Sequence, residues 1–210
     1  MSETEVSGSG GLPAGRRGLR RRARAVLTAG ALLAVGACAA PIPLVLDPRV
    51  AAPPLRPLAK GVVYKGCAIR FTEVIDARRV PETLGLITGR AVMSPPDSVA
   101  WIRSALPRLV DHGFTVAVAE EESAVAPVFS GTVSLQTAWV TNVLANKAAT
   151  VVLHIEGQVA GGQSITRNYR GDLTNINWAT SDNELKVLVD RAFVEAIDVM
   201  AADLRRYCPA

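Results

Sequence analysis

A 210-residue chain that is 49% hydrophobic, with three cysteines and two histidines, suits one modest domain with appendages. Its net charge of +4 resembles that of a nucleic-acid binder, but six arginines crowd between Arg16 and Arg24, and from Cys38 onward seventeen basic residues balance seventeen acidic ones. Neutrality with scattered Lys and Arg excludes a phosphate-binding surface, so no nucleic-acid partner is expected.

The N-terminus reads as an export signal. Arg16 to Arg24 form a basic region, and Ala25 to Val35 ("AVLTAGALLAV") an uncharged one of secretory length. Val35-Gly36-Ala37-Cys38 then has the form of a bacterial lipobox: an aliphatic residue, two small residues, and a cysteine whose sulfur can accept a diacylglyceryl group. This predicts a lipoprotein signal peptide over 1–37, lipidation of Cys38 and a membrane partner through that lipid. Two rival readings stand beside it. Ala37-Cys38-Ala39 also fits a cut that releases a soluble protein. The uncharged stretch Ala25 to Leu46 approaches the roughly 20 residues of a membrane span, although Pro41 and Pro43 oppose that helix. Ala39, rather than aspartate, after the cysteine favours an outer-membrane lipoprotein facing the periplasm; the alternatives are inner-membrane anchoring or a soluble periplasmic protein.

Residues 38–61 hold six prolines and predict an extended tether of about 3.1 Å per residue. The domain follows over 62–210. "CAIRFTEVID" from Cys67 alternates as a strand, and "LITGRAV" is a short extended piece. "SPPDSVAWIRSALPRLVDHG" predicts a helix capped by Ser94 or Asp97, with a buried stripe of Val99, Ile102, Leu106, Leu109 and Val110, a kink at Pro107 and a stop at Gly113. "FTVAVAE" is a strand. Phe129 to Leu144 is another, with Val133, Leu135 and Trp139 on one face. Asn146-Lys147 is expected to turn into the alternating strand Ala149 to Val159, and Gly161-Gly162 into "SITRNYRGDLTNI", which is polar on both faces. A capping box, Ser181-x-x-Glu184, opens a long amphipathic helix. The order predicts an α+β two-layer sandwich: a mainly antiparallel sheet of about four to five strands with two helices on one face.

Chemistry-bearing patterns are absent. His112 and His154 have no ligand partner at metal spacing, so no metal or cofactor is expected. No nucleophile elbow, zinc-protease or phosphate-loop spacing occurs, so no catalytic residues are assigned and an enzyme of the cell wall ranks last. Glu73 and Asp76 form a carboxylate pair only if the fold joins them; beside Arg78 and Arg79 they are more simply salt partners in a turn. Cys67 and Cys208 are a candidate disulfide, with two unpaired thiols as the alternative. Arg167, Tyr169 and Arg170 are a candidate partner surface, because Tyr and Arg anchor interfaces; the alternative packs Tyr169 on the sheet.

The segments "FTEVIDARRVPETLG", "IRSALPRLVDHGFTVA", "GTVSLQTAWVTNV", "SITRNYRG" and "NELKVLVDRAFVEAIDVMAADL", with the lipobox, follow the order of YajG-like lipoproteins, which they resemble from Cys67 to Arg206. "DAR" at Asp76 and "RNYRG" at Arg167 carry the likeness most sharply. Pro107, the long proline segment and the Cys67/Cys208 pair depart from the pattern. The resemblance implies a small envelope lipoprotein, and the family has no established activity to carry over to this chain. The expectation is a lipid-anchored binding or scaffolding protein with an envelope protein partner. The alternative is an accessory of lipid or solute transport, which needs an apolar groove between sheet and helices.

Overall fold

The computed structural model describes residues 40–48, 67–119, 126–143, 146–176 and 182–209. They form strands β1 (Ile42–Pro43), β2 (Ala68–Asp76), β3 (Thr83–Ile87) and β4 (Arg90–Met93), helix α1 (Ser98–Ala105), the single turn α2 (Arg108–Asp111), β5 (Thr115–Val118), β6 (Pro127–Val143), β7 (Asn146–Val159), β8 (Ser164–Ile176), helix α3 (Asp182–Leu204) and a tight turn at Arg205–Tyr207. The class is α+β, as expected. The sheet is not: eight strands form one open, mixed sheet.

Strand β6 is its spine. One edge of β6 pairs antiparallel with β7, which pairs antiparallel with β8. The other edge is shared, with β2 parallel to its first half and β3 opposite Val140 in its second. Beyond β2 lies β5, also parallel; beyond β3 lie β4 and then β1. The β2–β5 parallel pair follows from the helical crossover through α1 and α2, which returns the chain in its original direction.

Local chemistry explains the elements. Asp97 caps α1, accepting from the Ala100 N–H at 2.8 Å. Pro107 does more than kink the helix: α1 stops before it and α2 restarts after it. The break keeps Ile102, Leu106 and Leu109 buried but turns Val110 outward, where it is 55% exposed. "LITGRAV" is part of a full hairpin, because Thr88 (φ 49°) and Gly89 (φ 77°) both take the left-handed conformation of a two-residue turn. Asn146 and Lys147 already belong to β7, and buried Lys147 approaches Glu184 at 3.8 Å. A bulge in β6 between Leu135 and Thr137 shifts the alternation by one residue. Val133 and Leu135 therefore face inward, while Trp139, expected beside them, lies on the opposite face, 48% exposed.

Helix α3 covers β7 and β8, and α1 covers β2. The stacked rings of Trp101 and Phe193, 4.7 Å between centroids, join the two helices on that shared face. Phe71, Phe129, Leu135, Leu153 and Phe193 fill the layer beneath. Cys67, just before β2, is disulfide-bonded to Cys208, after the last turn, with Cα atoms 5.2 Å apart. Ser181 of the capping box lies outside the described residues. No described helix is long and apolar enough to cross a membrane.

Candidate functional site

Cys38 lies outside the described residues, but the chain is described from Ala40, two positions later. There the expected tether departs from the structure. The Ala40 carbonyl accepts from Arg90 Nε at 2.9 Å, β1 pairs with β4, and Ile42 and Leu44 are buried in the core. The Asp47 N–H donates to Asp190 Oδ2 at 2.9 Å. Buried Pro48 lies in a recess with Ala105, Pro107, Arg108 and Val194. Prolines favour extended chain, and an edge strand tolerates Pro43, so a proline-rich sequence serves equally as spacer or strap. Burial of Ile42 and Leu44 decides for the strap over residues 40–48. The same residues answer the membrane-span reading: Ile42–Pro43 is strand, so Ala25 to Leu46 is not one helix.

Asp190 is the polar point under this strap. It is fully buried and accepts from Lys186 Nζ at 2.8 Å, Trp101 Nε1 at 3.3 Å and the Asp47 N–H. Burial raises its carboxyl above the usual value despite these donors. Two other carboxylates move the opposite way. Burial alone would raise Asp76, but the side chain and backbone of Arg78 outweigh it and hold it low. Arg78 itself is buried and spans Asp76 Oδ2 (2.6 Å), Ser94 Oγ (2.9 Å) and Ser98 Oγ (2.9 Å). Asp76 is thus Arg78's salt partner, and the Glu73/Asp76 carboxylate pair does not form. Asp198, on α3, is likewise lowered: burial is outweighed by His112 Nε2 at 2.8 Å and Arg108 Nε at 3.0 Å. His154 instead pairs with Asn168 at 2.7 Å on the open face. Among the described residues, no group of three His, Cys, Asp or Glu is placed to hold a metal.

These shifts set an acid response. Asp76 and Asp198, lowered in the fold, contribute stability above their unfolded pKa, and it is lost as the pH falls below about 4. Asp190, raised in the fold, has the opposite sign: the native state takes up its proton first, so between its folded value and about 4 falling pH stabilises. Urea midpoints are expected to drop below about pH 4. Asp198→Asn is expected to shrink that drop, and Asp190→Asn to remove the gain above it. Unchanged pH profiles in both variants would contradict this assignment.

The three residues offered as a partner surface do not share one. Strand alternation sends Tyr169 under α3, where it is buried and donates to Asp203 Oδ2 at 2.7 Å. Burial pushes its hydroxyl up to about 12. Arg167 lies exposed on Tyr169's side of the strand, near the phenol, whereas Arg170 stands on the open face, its Nε 2.5 Å from Asp172 Oδ2. Tyr169 is a packing residue, and the sequence signal for that was its place in the alternation with Ile165. The transport-accessory reading expects a groove between sheet and helices. Beneath α1 and α3 that layer is filled by the core. At its edge, where the α1–α2 segment meets strand β5, a recess of about 350 Å³ opens among Arg103, Leu106, Pro107, Val110, Val116 and Val118.

No family model and no curated protein matches the chain, so the YajG-like likeness is one of residue order. Solved structures do match. Protein XCC0632 of Xanthomonas campestris, described as DUF330, is 11% identical, covering 79% of this chain and 94% of its own, with a TM-score of 0.43. Protein CT253 of Chlamydia trachomatis is 10% identical over 67% of this chain and 98% of its own, TM-score 0.41. A minor lipoprotein of Acinetobacter baumannii is 8% identical over 66% and 97%, TM-score 0.35. Similarity at this level assigns this chain neither a family nor an activity.

Proposed function

We propose that the protein is a lipid-anchored envelope protein that binds or scaffolds a protein partner, without catalysis. The observation that carries this is the junction at Cys38. A basic region, an apolar region and a lipobox end there, and a strand of the folded domain begins at Ile42. The Cys67–Cys208 bond fits the oxidising compartment that export implies. Ala39 after the cysteine favours the outer membrane, with the domain in the periplasm. Because residues 40–48 are a strap, only Cys38 and Ala39 separate the lipid from the domain, a reach of about 7 Å. A link this short holds the domain close to the bilayer.

Metabolic labelling with palmitate tests the anchor. The full chain is expected to take up label and to partition with membranes, and Cys38→Ser to abolish both. An unlabelled native chain, or a Cys38→Ser chain labelled as strongly, rejects it.

A further inference from the structure

Strand β8 is an open edge. Among the described residues its only strand partner is β7, and its thirteen residues run in unbroken register with no bulge or proline. Such an edge normally carries protection, because its outward N–H and C=O groups template another strand. Among the described residues, one side chain covers one of these groups: the Asp172 N–H donates to Glu195 Oε2 at 3.2 Å. That contact shows that Asp172 directs its backbone groups away from β7, and by alternation so do Asn168, Arg170 and Thr174.

The edge is also self-complementary. About Gly171, an antiparallel copy sets Arg170 opposite Asp172 of the second copy, and Asn168 opposite Thr174. All four residues point outward, so each pair can exchange both ladder hydrogen bonds. The Arg170 and Asp172 side chains, ion-paired within one chain on the open face, then form an alternating ring of four charges. Helix α3 repeats this symmetry on the other face. Its row at four-residue spacing reads Val187, Arg191, Glu195, Val199. All four are exposed, the two valines 37% and 45%. Read antiparallel, Val187 meets Val199 of the second copy and Arg191 meets Glu195.

The two centres coincide. Gly171 lies directly against the backbone of Ala192 and Ala196, and the helix row is centred on residue 193. One two-fold axis midway between Gly171 and its copy, normal to the sheet, therefore satisfies strand and helix together. Since α3 touches both β7 and β8, joining two β8 edges at about 4.8 Å brings the α3 axes to about 10 Å, the spacing of packed helices. Val187, Arg191 and Glu195 line the shallow cavities along this edge with Leu173, so the row borders the free strand.

We propose that this face binds a second copy of the same chain, joining two sheets through β8 and two α3 helices in an isologous dimer. Glu195, which shields the Asp172 N–H in the single chain, turns to Arg191 of the second copy as Arg170's carbonyl replaces it. The proposal is independent of lipidation at Cys38.

Sedimentation of the full chain in non-ionic detergent tests it. The native chain is expected to dimerise in the micromolar range. Arg191→Glu is expected to weaken the dimer at least about tenfold, since each reversal sets like charges together twice. Arg191→Glu with Glu195→Arg restores opposite signs and is expected to restore the dimer. Arg170→Asp, alone and with Asp172→Arg, is expected to repeat the pattern at the strand. Far-UV circular dichroism separates lost association from lost folding, and the paired reversals, which keep the composition of charge, supply the same control. A monomer throughout that range, an assembly indifferent to the single reversals, or a failure of both paired reversals to restore the dimer overturns the proposal.

Discussion

Replacing Cys67 or Cys208 by serine is expected to lower the unfolding free energy by about 5 kcal/mol in the chain-entropy account, for a bond between residues 141 apart. That is a third or more of the stability of an ordinary domain, roughly 5–15 kcal/mol. The size comes from what the bond joins. Cys67 enters β2, the strand between β5 and β6, and Cys208 follows α3, so the bond closes nearly the whole domain into one loop. Without it, the tight turn at Arg205–Tyr207 is held by smaller contacts, among them the Cys208 N–H to the Arg205 carbonyl at 3.1 Å. Urea unfolding of the oxidised chain, the reduced chain and each serine variant measures the effect. Reduction and either substitution are expected to give the same lowered midpoint. A reduced chain that unfolds at the native midpoint would show that the bond constrains nothing the fold does not already hold.

Gly171→Ala is expected to cost about 3 kcal/mol or more, a large effect for adding one methyl group. A Cβ at position 171 would run into the carbonyl oxygen of Ala192 and the nitrogen of Ala196, both backbone atoms of α3. Side chains can rotate away from such a contact; a helix backbone cannot, so α3 must lift from β8. Lifting it loosens the Tyr169–Asp203 hydrogen bond and the packing of Phe193 on Trp101. The expected result is a lower thermal midpoint together with exposure of tryptophan fluorescence. An unchanged midpoint would mean that α3 does not rest on β8 at this point. Ala192 and Ala196 fit the same geometry, since small residues let helix and strand approach closely.

Much of the local structure was legible in the residues. Strand β8 occupies the segment read as "SITRNYRGDLTNI", and the buried stripe of α3 contains Leu185, Leu188, Ala192, Phe193 and Ile197, as periodicity predicts. These succeed because period 2 and period 3.6 are set by neighbouring residues. The Thr88-Gly89 turn escaped notice because threonine rarely takes positive φ, so only the Gly marked it. Trp139 was placed on the wrong face because a bulge inserts one residue, and no composition announces where an alternation will slip.

What the sequence by itself determined is the balance of charge from Cys38 onward and the kinds and most of the limits of the described strands and helices, all of which depend on local order. Only the tertiary structure decided that residues 40–48 are a strap, that β2 runs parallel to β5 and β6, that Tyr169 faces inward, and that Cys67 meets Cys208. Those outcomes depend on contacts between segments far apart in the chain. Burying Ile42 against a core built mostly from residues beyond 67 is a balance of areas and entropies that no short window of residues contains.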